Sequence, residues 1–189
     1  MRELDDPWFL QAAGPWLDAA LDRSVPRYAR MPALPEEHGA LPERDDVLFV
    51  ADKEAGAAAR DSALPVVAWD GLVELGMAES AGQVFLDYAL TVVEPSHPLA
   101  AGRDGVVRVY RGPGRLRFGR PGPGAVVVAV AGKPPRPVLF AYEAGAEMPG
   151  GVAPARRVGI FLAPEALDPW LLAPTGRALF DAAVEWAAG

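Results

Sequence analysis

The sequence predicts an α/β domain with a mainly parallel central sheet, and three observations carry that prediction. From Phe140 to Gly189 the chain reads as a buried strand, a glycine-rich loop, a second buried strand and a closing amphipathic helix. Val47–Ala51 and Ala125–Ala131 are apolar without interruption, as strands are when other layers cover both their faces. Glu143 stands just past a strand, at the kind of position where such sheets place ligands.

The elements follow in order. Asp6-Pro7 fits a helix N-cap with proline at the first helical position. Trp8, Leu10, Trp16, Leu17 and Leu21 then form one apolar face, with a break or kink at Gly14-Pro15. Residues 23 to 45 are proline-rich and mixed in charge, which predicts an extended connector. Strands are expected at Val47–Ala51, Pro65–Trp69, Ala89–Val93, Val106–Tyr110, Arg115–Phe118, Ala125–Ala131, Val138–Tyr142 and Arg157–Leu162. Short helices fit Lys53–Ser62 and Gly71–Gly76. The last helix begins near Thr175, and Leu179, Phe180, Ala183, Val184 and Trp186 mark its buried side. Gly112-Pro113-Gly114 predicts an antiparallel hairpin over about 106–119. There is no internal repeat. The division expected is a helix and connector over 1–45 and an α/β domain over 46–189.

Composition narrows the functional classes. At 189 residues the chain can bury the core of one domain. Its 51% hydrophobic and 23% charged residues mark it as globular rather than disordered. A formal charge of −7 argues against general nucleic-acid affinity. Zero cysteines remove disulfides, thiolate metal sites and thiol nucleophiles together. The opening MRELDDPWFLQ is acidic, unlike a secretory leader. No apolar run approaches the roughly 18 residues that span a bilayer. Cytoplasmic residence is therefore the expectation.

Five segments carry a family resemblance: LPVVAWDGLVELGM (64–77), EPSHPLAAG (94–102), VLFAYEAGAEMPG (138–150), ARRVGIFL (155–162) and GRALFDAAVEWA (176–187). Together they resemble a bacterial domain family in the ThuA-like, class I glutamine-amidotransferase-like superfamily. The resemblance covers about residues 45 to 189 with its segments in order, and its motifs are specific only as a set. It implies a flavodoxin-like three-layer sandwich and an accessory module in bacterial proteins, while fold alone does not fix function. It also implies a strand–helix–strand opening ahead of DDVLFVADKEAG. Here that region offers a helix and a proline-rich connector, so the N-terminal part reads as lost or rebuilt. A sheet without its early strands needs a cover for its edge or face, and the Trp8/Trp16 helix is the candidate, within the chain, on a second copy or on another protein. The superfamily's nucleophilic cysteine is absent, and Asp52-Lys53 stands where the comparable strand ends. No serine takes its place, since Ser24, Ser62, Ser80 and Ser96 all lie outside a G-x-S-x-G elbow. Glutaminase chemistry is excluded.

The remaining candidates each have a functional and a structural meaning. His97 could serve as a general base or metal ligand, but the resemblance implies a turn histidine opening a short helix. His38, in the connector, is the only other imidazole, so a two-histidine metal centre is not expected. Asp70 and Glu143 each follow an apolar strand and could converge at the carboxyl edge of a parallel sheet for acid/base work or cation binding. The preferred structural reading makes Asp70 the cap of a helix beginning at Gly71, with Glu143 bonded to loop amides. Gly145, Gly150 and Gly151 lack phosphate-loop spacing. Arg108, Arg111, Arg115, Arg117 and Arg120 form a local basic cluster, read as a solvated hairpin rather than a nucleic-acid site. On alternating positions Arg115 and Arg117 share one face, opposite Phe118. Arg156-Arg157 can salt-bridge Glu143 or Glu147.

These readings favour a non-catalytic domain acting as a protein-interaction or assembly module, with Trp8, Trp16 and Leu17 as interaction residues. They call for neither a cofactor nor a metal, and for a protein partner or homo-oligomer through the N-terminal region. The alternative is a hydrolase or carbohydrate-binding enzyme using Asp70, Glu143 and His97, and it requires these side chains to share one pocket.

Overall fold

The computed structural model describes residues 28–29, 47–163 and 171–189. The expected helix bearing Trp8, Trp16 and Leu17 lies outside the described residues, as does His38. In chain order the elements are β1 (Tyr28–Ala29), β2 (Val47–Val50), α1 (Lys53–Ala58), β3 (Val66–Ala68), β4 (Ala78–Asp87), β5 (Ala89–Val92), a 3-10 turn (Pro98–Ala100), β6 (Gly105–Arg108), β7 (Gly114–Pro121), β8 (Val126–Ala131), β9 (Arg136–Tyr142), β10 (Glu147–Met148), β11 (Gly151–Val152), β12 (Arg157–Ile160) and α2 (Pro174–Ala188).

Eight strands form one mixed sheet in the order β1–β2–β3–β12–β9–β8–β5–β6. The expected mainly parallel sheet needs correction. The first three pairings are parallel and the next four antiparallel. Connection length accounts for part of the split, because parallel neighbours need a crossover of about a dozen residues or more. The segment between β2 and β3 includes α1 and supplies one. The tight Gly132–Pro135 turn between β8 and β9 cannot, so β9 returns antiparallel. β1 is a second correction, since Tyr28–Ala29 falls inside the expected connector and adds a parallel strand beside β2.

Two cores lie on the two faces. α2 covers Val47, Phe49, Val67, Val158 and Ile160 with Leu179, Phe180, Ala183 and Val184. Phe180 stacks on Phe49 with ring centroids 6.0 Å apart. The helix has no side-chain cap, and Pro174 in its first turn carries no N–H to leave unsatisfied. On the other face Leu48, Val50, Val66, Ala68, Phe140 and Tyr142 pack beneath Leu72, Leu75 and Met77. The ribbon formed by β4 and β7 packs on β9, with Leu116, Val84 and Phe118 joined to the first core and Gly119 against Phe140 and Leu72 of the second. Among the described residues the helices are few.

The ribbon also replaces the expected 106–119 hairpin. β6 pairs with β5, and β7 pairs with β4, a strand not foreseen at all. The chain between β6 and β7 is drawn away instead, with Tyr110 bridged to Leu172 and the Arg111 N–H bonded to Leu171 O at 2.7 Å. Helix Lys53–Ser62 ends early, at Ala58. Gly71–Gly76 is a single turn, closed by the Leu75 N–H on Gly71 O at 2.8 Å. Here the backbones approach closely. A Cβ on Gly56 would lie 2.6 Å from Gly71 O, and Gly71 itself has φ +64°. That contact locks α1 to the turn beyond β3.

Candidate functional site

The two carboxylates expected to converge stand on opposite edges of the sheet. Asp70 follows β3, so it lies at the carboxyl edge of the parallel strands. Glu143 follows β9, which runs antiparallel to β12 with Tyr142 opposite Arg157. It therefore lies where β12 begins, at the amino edge. Register places Asp70 level with Phe161 and Glu143 level with Arg156. That is five strand positions, roughly 16 Å. Known two-carboxylate sites reach only about 10 Å, so this pair shares no substrate.

At the carboxyl edge Asp70 is engaged on both oxygens. Oδ1 accepts the Gly71 N–H at 2.8 Å, and Oδ2 accepts from Arg117 Nη2 at 2.7 Å. Arg117 is placed by β7, whose backbone is tied to the sheet through the Arg117 N–H on Phe161 O at 2.8 Å. With its amide carbonyl turned inward, Gln83 Oε1 sits 3.2 Å from the same guanidinium. Asp52 next door accepts the Ala55 N–H at 2.7 Å and caps α1. The arrangement is an ion pair clamping the ribbon onto the sheet end. Sequence offered no signal for it, because Asp70 and Arg117 are far apart in the chain.

The amino edge is built around Trp186. Arg156 lies over its ring at 4.9 Å, donates from Nη1 to Trp186 O at 2.8 Å, and pairs through Nε with Glu143 at 2.9 Å. A cation bonded to a carbonyl in the last turn of α2 suits the negative end of the helix dipole. Glu143 is mostly exposed, and a surface pair of this kind contributes about 0–1 kcal/mol. His97 packs its ring 5.4 Å from Trp186 and caps the 3-10 turn, with Nδ1 accepting the Leu99 N–H at 3.2 Å. Ser96 Oγ donates to Glu94. His97 thus joins Glu143 and not Asp70. Among the described residues no three His, Asp or Glu side chains gather to hold a metal.

Burial lowers the pKa of His97, against smaller raising influences from Glu143 and Glu94. The folded value lies below the unfolded one, so the unfolded chain takes the proton first. Stability from this group is complete above about pH 6.5 and is lost as pH falls below it. Protonation of Nδ1 also ends its bond with Leu99. The unfolding free energy of wild type, relative to His97→Asn, is expected to shrink between about pH 7 and about pH 5. A constant difference in urea titrations across that window would overturn this assignment.

The basic cluster disperses on folding. Arg117 pairs with Asp70 and Arg120 with Glu79. Arg108 donates to Tyr110 O and Arg111 O and lies over Tyr88. Arg115 lies over Phe85 and Arg136 over Phe118. Phe85 is 65% exposed, Tyr88 46% and Val106 76%. Val106 lines an open groove of about 250 Å³ with Asp87, Thr91, Val130, Lys133 and Pro135, and Phe85 and Tyr88 flank Asp87 in the chain. The sequence reading missed this surface because β4 was not foreseen. Its available signal was the apolar run Val84-Phe85-Leu86 between Gly82 and Asp87.

Among the described residues no helix is long and apolar enough to cross a membrane. No family model, curated protein or solved structure matches the chain.

Proposed function

We propose that the chain is a non-catalytic, amidotransferase-like domain of flavodoxin-like descent, working as a protein-interaction or assembly module in the bacterial cytoplasm. One observation carries the reading: Phe85 and Tyr88 stand exposed on either side of Asp87 in the chain, and Asp87 lines the groove beside β5 and β6 together with the exposed Val106. Grouped exposed apolar and aromatic side chains on a folded domain mark surfaces that meet other proteins. The carboxylates needed for the hydrolytic alternative support the same reading, since Asp70 and Glu143 lie apart and each is held by an arginine. Trp8, Trp16 and Leu17 would supply a second contact surface from the N-terminal region.

The test uses the full chain, because removing residues 1–45 would also strip β1 from β2. Affinity capture from the host lysate is compared for wild type, Trp8→Ala/Trp16→Ala and Phe85→Ala/Tyr88→Ala, with light scattering on each. A specific partner or a homo-oligomer that either pair of substitutions weakens by about tenfold or more is the expected result, as for aromatic anchors at interfaces. Unchanged size and capture in both double variants would sink the proposal.

A further inference from the structure

We propose that β6 is a self-pairing edge, joining the β6 of a second copy antiparallel about a two-fold axis at Val106. This deepens the assembly reading above and rests on it. β6 ends the eight-stranded sheet, and no described strand lies on its outer side.

The hydrogen-bond phase of the ladder shows which peptide groups face outward. The Val109 N–H donates to Tyr88 O at 2.8 Å, in the same register that pairs Thr91 with Val106 and Ala89 with Arg108. Bonded and non-bonded pairs alternate in an antiparallel ladder, so Thr91–Val106 and Ala89–Arg108 are non-bonded pairs. β5 gives the same answer from its other side. The Val93 N–H bonds Val128 O at 2.9 Å, which turns the peptide groups of Thr91 toward Val130 and away from β6. The N–H and C=O of Val106 therefore point to the open edge, beside a side chain that is 76% exposed. β6 contains neither the lysine nor the proline that commonly guard such edges.

Charge selects the partner and the register. Asp104 precedes the strand and Arg108 ends it, on either side of Val106. Arg108 is held by the neutral carbonyls of Tyr110 and Arg111, and no described carboxylate pairs with it. Gly105, at φ +62°, turns the chain at the strand's start, so Asp104 is placed by its position at the end rather than by alternation. Antiparallel pairing centred on Val106 lets the two Val106 residues exchange both backbone bonds. It also brings Asp104 of each copy to Arg108 of the other. Parallel pairing would set Asp104 against Asp104 and Arg108 against Arg108, which is unfavourable. A negative end, an apolar centre and a positive end are complementary to themselves under a two-fold axis, and this argues for a second copy rather than an unrelated strand. Four residues bury little area, so the dimer is weak and concentration-dependent.

The chain has no cysteine, so Val106→Cys introduces a unique thiol at the axis. The Cα atoms of a bonded antiparallel pair lie about 5.5 Å apart, within disulfide reach. On oxidation Val106→Cys is expected to form covalent dimer at least about tenfold faster than Val152→Cys, a thiol at a site on β11 that is also mostly exposed (tenfold corresponding to about 1.4 kcal/mol of association). Asp104→Lys added to Val106→Cys should slow that reaction, because lysine then faces Arg108 of the second copy. Equal rates at positions 106 and 152, or a wild-type chain that stays monomeric in sedimentation velocity to about 1 mM, would overturn the pairing. Capture of a partner through Trp8, Trp16, Phe85 or Tyr88 by a chain that stays monomeric up to that concentration would overturn it too, while leaving the module reading intact. Cross-linking at 106 with no other capture would support β6 alone.

Discussion

Phe140→Ala is expected to lower unfolding stability by about 3–5 kcal/mol, the range for deleting a buried phenylalanine. Phe140 is fully buried on β9, with its ring edge-to-face against Tyr142 at 6.2 Å. Its ring occupies the space above Gly159 on β12, where an added Cβ would lie 2.5 Å from Phe140 Cζ. Gly119 of the ribbon approaches the same ring, so Phe140 joins sheet and ribbon. Gly159→Ala in the wild-type background should then cost about 1–3 kcal/mol as overpacking. In the Phe140→Ala background the same methyl enters vacated space and should cost less. The double-mutant cycle therefore carries a favourable coupling of about 0.5–3 kcal/mol. Additive losses in denaturant titrations would show that the two positions do not share that space.

Arg157→Ala is expected to cost about 3 kcal/mol, whereas Arg157→Met should remain within about 1 kcal/mol of wild type. Arg157 is the largest fully buried side chain among the described residues, and its Nη2 donates to the carbonyls of Ser62 and Arg60 at 2.5 and 3.4 Å. Nε and Nη1 are buried without a partner. Burial pushes the guanidinium down to about 10, only partly opposed by Asp61. A buried charge with three of its five N–H donors unused contributes little net stability, so a shape-filling apolar side chain serves almost as well. Alanine leaves a cavity in addition to the two lost bonds. The check is chemical denaturation of both variants. A Met variant as unstable as the Ala variant would mean that the hydrogen bonds to Ser62 and Arg60 outweigh packing.

The two adjacent arginines show where sequence reading ran out. Arg156 reaches Glu143, as the sequence allowed, while Arg157 turns into the core. Strand alternation sends neighbours to opposite faces, yet nothing local says which face is covered. The ribbon shows the same limit at larger scale. β6 and β7 overlap the expected strands Val106–Tyr110 and Arg115–Phe118, but the Gly-Pro-Gly between them does not pair them. β4 out-competed the local hairpin, and its own sequence, with Gly82, Ser80 and Glu79, carries a weak strand signal.

Apolar patterning alone dictates the buried strands Val47–Val50, Val66–Ala68 and Val138–Tyr142 and the closing helix, because uninterrupted or 3.6-periodic apolar runs can satisfy themselves only by burial; it also marks Val126–Ala131 as a strand, although Val126 at its start is exposed. The sequence also shows that no cysteine chemistry operates. Strand direction, the place of β4 and the separation of Asp70 from Glu143 are set by long-range contacts. Those depend on which distant segments meet, and a carboxylate after a strand looks the same whichever way that strand is later turned in the sheet.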